Sequence, residues 1–477
     1  MKLGEISALP ATELQRHLHD GSLSAEDVVN AVLAQIDRFD PELNAFALVD
    51  RDGVRAAARA ADRHRAGNGV LGPLHGLPFS VKDVIQTKGL ETAYGSHLMA
   101  GNVPGKDAAA VYRLKAAGAL LLGKTTTPEF AHKVLTDSPR HGTTRNPWNP
   151  DFTPGGSSGG AAIAVATGMG PFAVTTDGAG SSRIPASCCG VLGLKATLGR
   201  IPNEDGADLF GAFSYIGAMT RTTGDLVMML NAMSGAEPGD PWARAASYPR
   251  AELPSEPASA LEGLRVHYKP YLGNDALDGD VSQLMERVLE MLGANGVIVE
   301  RSDGREDWGS DMARACIRGL MAARMSQYSS ADRARMDPSL QASIAEGEAI
   351  DAPVMKEIPL LRSALYRQTE AVFESADLLL TPCLGAPPLR VTHLATEPVE
   401  INGRNAGPLR SAWYNYPAPF NLTGHPALSI PAGRTPDGLP VGIQAVAPWY
   451  DEQRLVDLAA AIELLQPWEV TPAIKEE

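Results

Sequence analysis

Residues 153–185 read TPGGSSGGAAIAVATGMGPFAVTTDGAGSSRIP. Two serines, Ser157 and Ser181, each sit in a glycine-rich turn. Between the turns lie a small-residue run suited to a helix and an apolar run, Phe172 to Thr175, suited to a strand. Upstream, Lys82 interrupts the otherwise apolar segment LPFSVKDVI at 77–85. Gly-Ser turns present backbone N–H groups around a hydroxyl, as acyl transfer requires for an oxyanion. A lysine can also replace histidine as the base of a serine triad.

Outward from this stretch, helical and strand patterns alternate, which favours an α/β fold. The first clear helix starts at Ser24, with Asp27 at the capping-box position and Val29, Val32, Leu33, Ile36 and Phe39 on one face. Residues 107–118 read as helix and ALLLGK, 119–124, as buried strand. Residues 235–260, rich in Pro, Ser and Ala, lack an apolar period and read as a linker or surface excursion. LRVHY (264–268), a helix through Val281 to Leu292, and VIVE (297–300) follow. Residues 306–375 are mainly helical with charged faces and read as a peripheral cap. DLLLTP (377–382) returns to buried strand, and Pro436–Asp437–Gly438 is a hairpin turn between ALSIPAG and VGIQAVA. A last amphipathic helix spans about 451–465. Both ends look like core, which predicts one large domain, 1–477, with the middle inserted into it.

The chain has 477 residues and a formal net charge of −14, which argues against nucleic acid or an anionic membrane as partner. The N-terminus lacks a signal-peptide core, and no run reaches the ~18 apolar residues of a membrane span. Cys188, Cys189, Cys316 and Cys383 match neither a metal spacing nor a disulfide framework. Reduced thiols in a cytoplasmic protein are the expectation, with no metal or cofactor.

Alone, GGSSGG is an ordinary flexible turn. No Gly-Lys-Ser/Thr follows it, so it is not a phosphate loop. Gly155 to Gly159 spells the hydrolase elbow G-x-S-x-G, but that elbow must follow a buried strand. The preceding RNPWNPDFTP holds three prolines and cannot be one. The second turn carries more. Gly178, Ala179 and Gly180 let successive N–H groups converge as a nest, and Ser181 follows it directly.

With these residues in view, the chain resembles the amidase signature family over most of its length. The matching segments are GPLHGLPFSVKD (72–83), LLGKTTTPEFA (121–131), TRNPWNPDFTPGGSSGG (144–160), TTDGAGSSRIPASCCGVLGLKATLGR (175–200) and NLTGHPALSIPAGRTPDGLPVGIQ (421–444). The resemblance implies a single domain with a mixed central sheet flanked by helices on both faces. Segments 66–235 and 420–465 would be its catalytic core, and 236–420 a variable substrate-side cap. It also implies a Ser-Ser-Lys triad: Ser181 as nucleophile, Ser157 bridging after a cis peptide from Gly156, and Lys82 as base. Backbone N–H groups of Gly178, Ala179, Gly180 and Ser181 would form the oxyanion hole. Asp177 and Arg183 would brace the loop, and Ser158 would support Ser157. Two positions depart from the family: Ala179 replaces a usual glycine, and Ser182 a usual aliphatic residue.

An ordinary lysine is protonated at neutral pH. Burial among Leu77, Phe79, Val81 and Val84 would bring Lys82 towards neutrality, so that protons pass from Ser181 through Ser157 to it. His425, in TGHPALS, then reads as a structural loop histidine. Trp413, Tyr414, Tyr416 and Phe420, with Phe130, are candidates either for core packing or for lining the acyl pocket.

Glutamine-using subunits of tRNA-dependent amidotransferases belong to this family, and their acidic amine reader falls here at Tyr414, in a segment without acid from Arg410 to Gly424. The expectation is therefore an amidase for neutral, hydrophobic aryl or alkyl amides, with ester or carbamate cleavage by the same chemistry. The alternatives are the glutaminase component of such an amidotransferase and, in another class, a non-catalytic scaffold. The expected partner is a small-molecule substrate, and the chain would be a monomer or homodimer.

Overall fold

Ser24 caps the helix Ala25–Leu43 reciprocally. Its hydroxyl accepts the Asp27 N–H, and the Asp27 carboxylate accepts the Ser24 N–H. Val29, Val32, Leu33 and Ile36 are buried along this helix and Phe39 is half-buried. Two shorter helices, Leu3–Ala8 and Ala11–Asp20, precede it. The second buries only Ala11, Leu14 and Leu18, too few positions to stand out as a period in the sequence.

The computed structural model describes residues 1–244 and 247–468. Eleven strands form one sheet. In chain order they are β1 (Phe46–Val49), β2 (Pro78–Lys82), β3 (Leu120–Thr125), β4 (Phe172–Asp177), β5 (Leu192–Lys195), β6 (Tyr215–Thr220), β7 (Arg265–Tyr268), β8 (Ile298–Arg301), β9 (Leu378–Pro382), β10 (Ala427–Arg434) and β11 (Pro440–Val446). Across the sheet they run β1-β3-β2-β4-β6-β5-β10-β11-β9-β7-β8. The sheet is mixed: β2 pairs in parallel with β3 and β4, whereas β4–β6, β5–β10 and β10–β11 are antiparallel. Every residue of β2, β5, β6, β9 and β11 is buried, as in a sheet covered on both faces.

The middle of the chain does more than cap the fold. It supplies β7, β8 and β9, which extend the sheet beyond β11. Its helices Ser310–Met325, Pro338–Glu348 and Ala352–Phe373 form two apolar seams with the rest. Met321, Met325, Leu340 and Ile344 pack with Phe130. Met312, Ile358 and Leu365 pack with Ala179, Tyr416 and Phe420. Most of 235–260 is irregular surface chain, apart from the 3-10 turn beginning at Pro257. The four cysteines are buried and form no disulfide. Among the described residues, no helix is long and apolar enough to cross a membrane.

Candidate active site

Lys82 closes β2, and its side chain is fully buried. Nζ lies 2.6 Å from Ser157 Oγ and 2.8 Å from Thr176 Oγ1. Burial drives the Lys82 pKa down to about 7, against the opposing charge of Asp177. Ser157 comes from the first glycine turn, where Gly155 has φ +74° and the Gly156–Ser157 peptide is cis. A Cβ at Gly156 would stand 2.8 Å from the Val134 carbonyl carbon, so the turn needs glycine there. The helix Gly159–Ala166, wholly buried, starts immediately after. Ser158 donates to the Thr176 carbonyl, 3.3 Å away, and so ties the turn to β4 rather than bonding Ser157 itself.

The second turn leaves the end of β4. Asp177 accepts the Gly180 N–H (2.6 Å) and the Ser182 N–H (3.2 Å). Arg183 grips the same carboxylate through Nε (3.0 Å) and an Nη (2.9 Å). Burial alone would raise the Asp177 carboxyl, but the Arg183 charge and the hydrogen bonds from Arg183 and Asn421 hold it well below the carboxylate range. Gly180 has φ +106°, and a Cβ there would meet Pro417 at 2.5 Å. The Gly180 N–H is thus taken up by the brace. Among the described residues, no protein acceptor engages the N–H groups of Gly178, Ala179 or Ser181. Of the four N–H groups expected from sequence to serve an oxyanion, these three are unengaged in the structure and that of Gly180 is not.

Ser157, Thr176, Gly178, Ala179 and Ser181 border one cavity of about 110 Å³. Phe130 and Val134 form one side, Phe213 another, and the cap contributes Ile317, Leu320 and Met321. Tyr414 lines it as well. Trp413, Tyr416 and Phe420 do not. The Trp413 indole donates to the Ala386 carbonyl, the Tyr416 hydroxyl to the Pro270 carbonyl, and Phe420 stacks near Trp308 with ring centroids 6.3 Å apart. The turn over 413–417 directs Tyr414 towards the cavity, whereas Trp413 and Tyr416 are held in the core by these hydrogen bonds.

The Amidase family model matches residues 27–456, almost the whole chain. The chain belongs to the amidase signature family. It is 34% identical to an acylamidase of Rhodococcus erythropolis over 469 residues, covering 96% of each chain. It is 31% identical to a component of the glutamyl-tRNA(Gln) amidotransferase of Roseiflexus castenholzii, covering 98% of each. Among solved structures it is similar to a bacterial aryl acylamidase of the amidase signature enzymes, at a TM-score of 0.89 and 28% identity over 96% of each chain.

Both departures from the amidase signature pattern have local explanations. Ala179 does not adopt positive φ, so its methyl carries no backbone cost, and it packs with Phe213 and Phe420. Ser182 exchanges a 2.6 Å hydrogen bond with Thr175 Oγ1. His425 is buried, bonded to Thr423 Oγ1 and Glu370 Oε1, and burial pushes its pKa down to about 4 despite the Glu370 hydrogen bond. Its two ring nitrogens are therefore committed elsewhere.

Sequence reasoning missed several partners. Thr176 shares Lys82 with Ser157. Asn421 and Gln444 accept from the two Arg183 Nη groups at 2.6 and 2.7 Å. Gln444 is a polar residue inside the apolar run VGIQAVA, and that irregularity was the available signal for it. Phe130 and Ala131 both occupy the left-handed region, at φ 50° and 56°, which side chains such as Phe rarely enter. Nothing in TPEFA announces it.

Proposed function

We propose that this amidase signature hydrolase cleaves amides of hydrophobic, uncharged acyl or aryl groups through a seryl acyl-enzyme on Ser181. The observation that carries the reading is a buried amine 2.6 Å from Ser157 Oγ, at the wall of a cavity shared with Ser181. With its pKa brought to about 7, a substantial share of Lys82 is neutral at physiological pH. Neutral Lys82 takes a proton from Ser157, which takes one from Ser181 as that oxygen attacks the carbonyl. Free N–H groups of the Gly178–Ser181 turn stabilise the negative charge on the tetrahedral oxygen. Run backwards, the relay hands the proton to the departing amine, and water then repeats the sequence on the acyl-enzyme.

Apolar walls next to the serines favour a neutral group at the scissile bond. Esters and carbamates pass through the same tetrahedral geometry, and we include them as substrates. The glutaminase reading lacks its amine reader: no carboxylate side chain borders this cavity among the described residues, and Tyr414 holds the corresponding position.

Two experiments test the proposal. Fluorophosphonate should label Ser181 in the purified chain; an unlabelled, well-folded protein would favour the scaffold reading. A panel of p-nitroanilides, p-nitrophenyl esters and aryl carbamates should show turnover with neutral acyl groups, whereas turnover of glutamine alone would reject the substrate class.

A further inference from the structure

The cavity beside the serines does not end at its apolar walls. His132, Lys133, Val134, Arg410 and Tyr414 also border a second cavity, of about 430 Å³. Arg314 and Arg318 of the cap border that space too. Its carboxylates are Asp311 and Glu346, and Glu346 already sits 3.3 Å from Arg318 Nε. Lys133 is matched by Asp137 at 2.7 Å and Asp337 at 2.8 Å.

Among the described residues, Arg410 has no carboxylate within ion-pair distance. Its guanidinium lies 4.8 Å from the centre of the Tyr414 ring. One terminal nitrogen is sealed from solvent without a hydrogen-bond acceptor among the described residues. Burial pushes its pKa down; Tyr414 and the Glu346 charge oppose this, and the like charges of Arg318 and Arg314 add to it. A half-buried guanidinium with one donor unmet gains from an anion that joins it. Arg324, on another wall of the serine cavity, differs because Asp205 and Asp208 outnumber it in the space beyond, whereas Lys133, Arg314, Arg318 and Arg410 outnumber Asp311 and Glu346.

We infer that Arg410 reads a carboxylate on the substrate. The scissile bond lies at the serines against apolar walls, and one arm of the substrate carries its carboxylate past Tyr414 into the Arg410 cavity. A planar guanidinium fork suits a carboxylate in two-point contact. The inference rests on the serine-hydrolase reading and replaces its wholly uncharged substrate by an amide that is apolar at the scissile bond and carries a carboxylate at the far end of one arm.

Kinetics with two matched series test it. One compares glutaryl and adipoyl p-nitroanilides with hexanoyl p-nitroanilide. The other compares 4-(butyrylamino)benzoate with butyranilide. In the unmodified enzyme, at least one carboxylated series should exceed its neutral counterpart by ~10- to 100-fold in kcat/KM, mainly through KM. In Arg410→Gln that ratio should fall to near one, and Arg410→Lys should recover part of it. Because the ratio is taken within one preparation, a misfolded fraction cancels. A ratio at or below one in both series, or a preference that survives Arg410→Gln, would overturn the assignment.

Calorimetric titration of glutarate and adipate into Ser181→Ala protein needs no turnover. Binding there that weakens at least tenfold on adding Arg410→Gln supports the site even if no substrate is hydrolysed. That outcome would count against the hydrolase reading alone.

Discussion

Lys82 and Lys124 stand on adjacent strands of one sheet, and both are fully buried amines whose pKa burial brings to about 7. The register pairs Val81 with Lys124 and Lys82 with Thr125, so the two lysines point to opposite faces. Lys124 donates to the Ile85 carbonyl and to the hydroxyls of Thr87 and Thr92, all buried. Lys82 donates to Ser157 and Thr176, and both of these line the cavity that Ser181 also borders. Burial alone therefore does not make a base. What separates the two lysines is whether the oxygen holding the amine opens onto a space a substrate can enter.

The largest effect that sharpens this contrast comes from Ser181, the proposed nucleophile. Ser181→Ala should lower kcat by ~10⁶, measured by single-turnover hydrolysis of an activated anilide. Next, Lys82→Ala should lower kcat by ~10²–10⁴ while the far-ultraviolet spectrum stays native. Lys124→Met should do the reverse. Its stranded oxygens should cost about 1–3 kcal/mol in urea unfolding, and its folded fraction should keep its turnover. Comparable kcat losses for both lysines would erase the distinction.

A pH profile refines it further. In the proposed relay Lys82 works in its neutral form, so kcat/KM should rise with pH, inflect near 7 and reach a plateau above it. Lys124→Met should retain that inflection, and the residual activity of Lys82→Ala should lack it. The smallest effect concerns the brace behind the nucleophile. Ser182→Ala removes the 2.6 Å bond to Thr175 and should cost ~1 kcal/mol of stability by the same urea titration.

Much of this is legible in the residues alone, for reasons that particular positions make plain. Ser24 with Asp27 announces a helix start because capping is a local exchange between a hydroxyl and a backbone N–H three residues on. Pro436–Asp437–Gly438 announces a hairpin because Gly438 supplies the φ of +83° that the turn demands. By contrast, Trp413, Tyr414, Tyr416 and Phe420 look alike in sequence, and only Tyr414 borders the cavity. Side-chain direction in such a short irregular segment depends on neighbours hundreds of residues away. The cap is legible as helices, but not as the source of Ile317, Leu320 and Met321 in the cavity wall.

The family, the two serine turns and most of the longer elements were written in the order of the residues, because turns, caps and apolar periods are local properties of consecutive positions. Which polar groups meet was not. Folding placed Lys82 against two hydroxyls, diverted the Gly180 N–H to Asp177, and left one buried Arg410 nitrogen without an acceptor among the described residues. Such pairings follow from the packing of distant segments, where desolvation and hydrogen bonding are settled by what surrounds a group rather than by what precedes it.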